Sequence, residues 1–267
     1  DESAADVAER AASALADWLA EHHEDTAALI VEPLVQCAAG MAMHDPVYLQ
    51  RARELCDRYQ VHLVLDEIAV GFGRTGTMFA HQQAGIRPDF LCLSKGLTGG
   101  TLPLSVVLTT DAVYAAFYDD QVARGFLHSH SYTGNPLACR AALATLDLFD
   151  QTEALRHNVT TGDRLAAQFA PLSRHPRVRH ARRQGMIFAW DVSSSLPDFA
   201  RRYARHALAR GLLLRPIGHT LYAMPPYVIN EAEGAFLAQG ALAALQATLG
   251  EEAPSSALAL DGVCDGV

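Results

Sequence analysis

Cysteine is scarce in this chain and scattered: Cys37, Cys56, Cys92, Cys139 and Cys264 form no Cys-x-x-Cys pair and no even set. A disulfide framework is not expected, and a reduced, cytoplasmic setting is. Positive charge is short as well. The 21 Lys and Arg against 30 Asp and Glu leave a formal net charge of −9. That argues against nucleic acid as a partner, which would need a basic face. No apolar run approaches the length that spans a membrane, and no signal peptide is visible. The close histidines His22 and His23, and His128 and His130, have no cysteine or acid at ligand spacing, so no metal site is expected. Neither a Walker A loop nor a Gly-x-Ser-x-Gly elbow occurs, which removes the commonest NTPase and hydrolase readings.

What is present is apolar content: 50% of the 267 residues are hydrophobic, enough for one larger and one smaller domain. The chain starts at Asp1 without methionine and opens into an alanine-rich helix over 2–20, reading as a piece of something longer. A short strand is expected at Ala27–Glu32, stopped by Pro33, and a helix from Asp45 and Pro46 to Tyr59. Val61–Leu65 and Phe90–Leu93 are continuous apolar runs, as in strands covered on both faces, and Ser105–Thr109 adds another. Strand and helix alternate, so residues 1–150 predict an α/β layered, mostly parallel sheet. A helix over Asn135–Phe149 leads to a smaller α+β domain over 151–250. Its expected elements are a helix at 152–170, strands within 177–190, a helix at 197–210, paired strands within 212–224 and a helix at 230–248. The stretch 251–267, rich in Ser, Ala, Gly and Asp, is expected to be a disordered tail.

Two residues carry the functional argument. Asp66 ends the run Val61–Leu65, and Lys95 follows a second run inside the turn Lys95-Gly96-Leu97-Thr98-Gly99-Gly100. In open α/β sheets, ligands bind beyond the carboxyl ends of the strands. An amine there can condense with an aldehyde, while an acid on the neighbouring strand keeps a pyridine nitrogen protonated. That pair is what a pyridoxal phosphate enzyme needs. Taken singly, an Asp at a strand end more often caps a helix, and a lysine is more often a solvated surface residue. The apolar run and the glycines around Lys95 lead us to expect a desolvated amine. The turn Gly71-Phe72-Gly73-Arg74-Thr75-Gly76 also matches Gly-x-Gly-x-x-Gly, the dinucleotide fingerprint. Only a short helical piece, Thr77–Gln82, follows before Pro88, so a tight turn is the better reading.

Several ordered stretches together resemble the class III pyridoxal-phosphate aminotransferases of fold type I. They are Glu32-Pro33-Leu34-Val35-Gln36, Leu65 to Gly76, Ser94 to Gly100, His128 to Ala138, and Leu214-Arg215-Pro216. The resemblance covers residues from about 5 to 248 and begins well inside the family's length. Ala69 stands where many members carry a glutamine. With Leu-Thr-Gly-Gly after Lys95, and Tyr222, Met224, Pro225, Pro226 and Tyr227 after Arg215, it points to the biotin-pathway branch.

The resemblance implies a partial large domain plus a small C-terminal domain, with pyridoxal 5′-phosphate as cofactor. Lys95 would form the Schiff base and act as general base then acid, and Asp66 would pair with the pyridinium nitrogen. Ile68 would pack on the ring face. Ser131, with the backbone of His130, would contact the phosphate of a cofactor held mainly by a partner subunit, which implies a homodimer. Ser129 would lie near the substrate, and Arg215 would hold its carboxylate by a bidentate pair. The family often has Gly, Pro and Thr where this chain has Ser129, His130 and Ser131. The implied reaction moves an amino group from S-adenosylmethionine to 8-amino-7-oxononanoate, giving 7,8-diaminononanoate. Another class III enzyme acting on an ω-amino acid or diamine, or an inactive remnant, are the competing readings. The family's Gly-Ser phosphate cup and ring-stacking aromatic fall outside the chain, so half a phosphate site is expected.

Overall fold

The computed structural model describes residues 2–252, so the expected tail lies, from residue 253 on, outside the described residues. Ser3 opens α1 (Ala4–His22) with a capping box, its side chain accepting from Asp6 N while Asp6 receives the Ser3 N–H. β1 (Ala28–Val31) follows, then a hairpin of two-residue strands, β2 (Val35–Gln36) and β3 (Ala42–Met43). Asp45 caps α2 (Pro46–Tyr59), with proline at its first position, and left-handed Gln60 ends it. α1 packs on α2, burying Leu19 with Leu49 and Leu55 in the same core.

Next come β4 (His62–Asp66), β5 (Phe90–Leu93) and β6 (Val106–Thr109), giving the sheet order β1-β4-β5-β6. The first three strands are parallel and β6 is antiparallel. β6 departs from the parallel expectation because the stretch between it and β5 holds only a 3₁₀ turn, with no helix to carry a crossover. Asp89 ties the sheet together at the start of β5, accepting from Leu63 N at 2.7 Å and from Arg53 Nη1 at 2.9 Å. Burial opposes its charge, but those donors prevail and hold the carboxyl below its usual range. A depressed acid contributes stability above its unfolded pKa and loses it as pH falls through the folded value. Asp89→Asn should therefore flatten the acid limb of the thermal-stability profile below about pH 4, read by circular dichroism melts across pH.

After α3 (Asp111–Ala115) the chain runs exposed to Asn135, which caps α4 (Pro136–Gln151). Then follow α5 (Ala154–Gln168), α6 (Ala170–Ser173), β7 (Val178–Gln184), β8 (Ile187–Val192), α7 (Phe199–Leu208), β9 (Thr220–Ala223) and α8 (Glu231–Leu249). β7, β8 and β9 form an antiparallel sheet in that order. The expected strand pair within 212–224 reduces to β9 and a single Ile217–Thr220 bridge. Pro216 has no N–H to give a ladder and Gly218 turns the chain, so Leu212–Arg215 stays unpaired.

β8 serves two cores at once. Phe188, Trp190 and Val192 pack with Leu165, Phe169 and Tyr203 of the helical layer, while Ile187 and Ala189 enter the core of the four-stranded sheet. That is the period-two alternation of a strand buried on both faces. No helix among the described residues is long and apolar enough to cross a membrane.

The two sheets meet at the Gly71–Gly76 turn. Gly185, at φ +58, comes so close that a Cβ there would lie 2.4 Å from the Thr75 carbonyl carbon and 2.7 Å from Arg74 O. Gly185→Ala should cost about 2–4 kcal/mol from left-handed strain and overpacking, read as a lowered denaturant midpoint.

Candidate active site

The C-terminal ends of β4 and β5 carry Asp66 and Lys95. Asp66 pairs in register with Cys92, and the ladder continues one residue further, Glu67 N donating to Cys92 O at 3.0 Å. Lys95 stands three residues beyond Cys92, so amine and acid emerge at the same edge of adjacent parallel strands. Such strands lie about 4.8 Å apart. The half-buried Asp66 is anchored by Ile68 N, which donates to its Oδ1 at 3.0 Å and leaves Oδ2 available.

Lys95 is left-handed, with φ +46, and opens the 3₁₀ turn Lys95–Thr98. A non-glycine residue there stores strain that the surroundings must hold. Here Ser94 Oγ donates to Leu104 O at 2.6 Å and Thr98 Oγ1 to Leu102 O at 2.6 Å. Gly96 lets the turn close on the Phe72 ring, where an added Cβ would meet three Phe72 carbons at 3.0–3.2 Å. The Lys95 side chain is exposed, which corrects the expected desolvation: the turn carries it off the strand end rather than under the apolar run.

Lys95 is also the only lysine in the sequence; every other Lys/Arg position is arginine. That signal lay in the composition itself. A second neighbour the spacing did not show is Cys37, whose thiol is pushed up to about 11 by burial and by Glu32, with Asp66 adding and Lys95 opposing. Glu32 Oε2 accepts from Cys37 N at 3.0 Å, and Glu32 follows β1 where Asp66 ends the neighbouring β4, which sets the Cys37 turn beside that strand end. Cys92 is raised as well, by burial and then by Asp66.

Glu67 points the other way and is fully buried. Its carboxylate accepts from Ala80 N at 2.6 Å, His81 N at 2.9 Å and His81 Nδ1 at 2.7 Å. Two successive acids on a strand face opposite sides, so one is free for the cleft while its neighbour staples the following turn. That alternation was a usable signal for Glu67.

The Gly71–Gly76 turn is a dock for the second sheet, and this adds Arg74 to the important residues. Arg74 Nη1 donates to Pro225 O at 2.7 Å, its guanidinium lies 4.4 Å from the Tyr227 ring centre, and its carbonyl accepts from Met186 N at 3.0 Å. Tyr227 OH donates to Phe72 O at 2.6 Å. Burial holds the Arg74 guanidinium below its ordinary value, and burial raises Tyr227.

Ser129, His130 and Ser131 are exposed just before α4, in a preformed turn. His130 N already donates to Thr133 Oγ1 at 3.0 Å and His130 O accepts from Thr133 N at 2.9 Å. The His130 backbone N–H is therefore committed, while Ser131 keeps its hydroxyl and N–H. No hydrogen bond among the described residues joins this turn to Asp66 or Lys95. Arg215 is exposed, with no hydrogen bond or ion pair among the described residues. Ile217, Tyr222 and Met224, close after it, pack on the core of the four-stranded sheet, so Arg215 belongs to the seam between the two sheets.

An acid and the sequence's one lysine thus stand at adjacent strand ends, beside a glycine-rich turn. The family profile "Aminotransferase class-III" matches residues 1–245, and the chain belongs to that family. Among its relatives is the adenosylmethionine-8-amino-7-oxononanoate aminotransferase of Helicobacter pylori, 44% identical over 231 residues, 84% of this chain and 53% of that protein. The enzyme of the same name from Synechococcus elongatus is 44% identical over 78% of this chain and 50% of its own length. The chain spans about half the length of the curated relatives it matches. In structure it resembles that enzyme from Methanocaldococcus jannaschii, with a TM-score of 0.82 and 30% identity over 88% of this chain and 57% of the other. The ω-transaminase from Pseudomonas jessenii in complex with PMP gives 0.85 and 30% over 93% and 58%. The fold is thus mixed α/β with a mostly parallel sheet, shared with transaminases.

Proposed function

We propose that this chain is the lysine-bearing portion of an aminotransferase that converts 8-amino-7-oxononanoate to 7,8-diaminononanoate with S-adenosylmethionine as amino donor. The reading rests on one observation above all, the sole lysine and Asp66 at neighbouring strand ends. The names of its relatives supply the substrates. The residues fit pyridoxal phosphate: an exposed primary amine for its aldehyde, and an anchored carboxylate with a free oxygen for its ring nitrogen.

When bound, pyridoxal phosphate supplies an electron sink for a bond at the substrate's α-carbon. Asp66 Oδ2 would accept the ring N–H, and the Ile68 N–H on Oδ1 fixes the carboxylate's plane. Ile68 itself is half-buried and would pack on the ring face. Lys95 Nζ would hold the cofactor between turnovers and, once released, would take the α-proton and return it, base then acid. Arg215, unpaired at the seam, offers its fork to the keto substrate's carboxylate, and Ser129 stands with the substrate-facing turn. Ser131 would give its hydroxyl and N–H to a phosphate.

The stretch carrying Ser131 is apolar and exposed, with Tyr118, Val122, Phe126, Leu127, Tyr132 and Leu137 facing out. A patch of that kind marks an interaction surface. We take a second copy as its partner, which would bring Ser131 to the neighbour's cofactor and make the enzyme a homodimer.

A second reading, an ω-amino acid or diamine transaminase, is favoured by the ω-transaminase likeness at TM-score 0.85. Ala69 in place of glutamine favours the first. Offering the cofactor-loaded protein S-adenosylmethionine, lysine, ornithine and 4-aminobutyrate with 8-amino-7-oxononanoate decides between them. Diaminononanoate formed only with an ω-amino donor would reject the proposed donor; turnover with another keto acceptor but none with 8-amino-7-oxononanoate would reject the acceptor.

A further inference from the structure

The β2–β3 hairpin is too small to hold itself. Its strands are two residues each, and its turn places Gly40 at φ +79 and Met41 at φ +56, both left-handed. It nevertheless stands at the cleft. β1 and β4 pair up to Val31 and Leu65, so Glu32 and Asp66 come next on adjacent strands. Glu32 Oε2 accepts from Cys37 N at 3.0 Å, and Cys37 O accepts from Met41 N at 3.1 Å.

What grips the hairpin comes from the other sheet. Arg182, on β7, donates from Nε to Met41 O at 2.8 Å and from Nη2 to Gly40 O at 2.6 Å. The outer face of its guanidinium is held by Asp191 at 2.9 and 3.0 Å, and Nη1 also reaches His180 O at 2.8 Å. Asp191 is fixed in turn by Thr220 Oγ1 at 2.9 Å. A planar fork can satisfy two carbonyls and a carboxylate at once; an ammonium group cannot.

We propose that Arg182 is a positioning residue for the cofactor cleft: from β7 it clamps Gly40 and Met41, and so holds the Cys37 turn beside Glu32 and Asp66 at the ends of β1 and β4. The word "cofactor" rests on the aminotransferase reading; the clamp does not. Support comes from Cys37 itself, half-buried, its N–H held by Glu32 at 3.0 Å and its carbonyl by Met41 N at 3.1 Å, next to the residues the clamp grips.

The test is the alkylation rate of Cys37 in the chain without cofactor, with peptide mapping to separate it from the other cysteines. Arg182→Met should speed labelling at Cys37 by about tenfold or more as the thiol is freed and its ionisation restored. Ser173→Ala, which removes the Trp190 Nε1 bond at 2.8 Å inside the helical layer, should leave Cys37 unchanged. An unchanged Cys37 rate in folded Arg182→Met overturns the proposal, and so does an equal acceleration in Ser173→Ala, which would mean general loosening. If Arg182→Met does not fold, Arg182→Lys takes its place, with the same outcomes read the same way. A second readout, weaker pyridoxal phosphate binding by visible absorbance in the Arg182 variant, depends on the aminotransferase reading. Faster labelling with unchanged cofactor affinity would leave the clamp standing and reject its effect on the cleft.

Discussion

Lys95→Ala should yield a folded chain that forms no side-chain adduct with pyridoxal phosphate and, in the active enzyme, turns over at least about 10⁴-fold more slowly. Two losses combine. The sequence holds no other lysine, so no side-chain amine can substitute. The same nitrogen is also the proposed base and acid, and general acid–base catalysis alone contributes about 10²–10⁴-fold. Stability should not fall, because Lys95 is exposed and left-handed: its replacement removes no buried contact. Stopped absorbance changes on cofactor addition and steady-state rates check both halves. Ordinary turnover in the alanine variant would end the assignment.

Asp66→Asn is expected to have the second largest effect, a loss of about 10²–10³ in kcat, comparable to removing one preorganised electrostatic group. The substitution keeps the Ile68 N–H bond to the side-chain oxygen and the shape of the turn. What it removes is the negative charge that would keep the ring nitrogen protonated. The fold should therefore be unmoved while the bound cofactor's absorbance changes and the rate drops. If the rate fell no more than about threefold, on the order of 0.7 kcal/mol, Asp66 would not be the ring's partner.

Much of this site could be read from residue types alone. Lys95 and Asp66 stand out as candidates because strand ends are where open sheets bind ligands, and because together they offer the amine and the carboxylate that pyridoxal phosphate takes. The apolar runs placed β4 and β5 nearly to the residue, and Asp45–Pro46 fixed the start of α2. Other features depend on distant partners and could not be seen locally. Gly-Phe-Gly-Arg-Thr-Gly was rightly read as a turn, but its purpose as a dock comes from Pro225, Tyr227, Gly185 and Met186, far along the chain. The β2–β3 hairpin escaped for the same reason: two-residue strands carry no periodicity, and the arginine that grips them lies on β7. β6 looked like one more parallel strand because an apolar run gives no direction. Leu212–Arg215 looked like a strand because its leucines are apolar, yet Pro216 denies it a ladder and Leu213 is exposed. His130 shows a subtler limit, since the commitment of its N–H to Thr133 Oγ1 is a matter of turn geometry rather than residue type.

The most direct measurement is borohydride trapping of the folded chain with pyridoxal phosphate, followed by peptide mapping, with the urea-unfolded chain alongside. The account predicts a pyridoxyl group on Lys95 in preference to the N-terminal amine, an advantage that disappears on unfolding and weakens in Asp66→Asn. Equal labelling of both amines in the folded chain, or a Lys95 yield indifferent to folding and to Asp66, would contradict it.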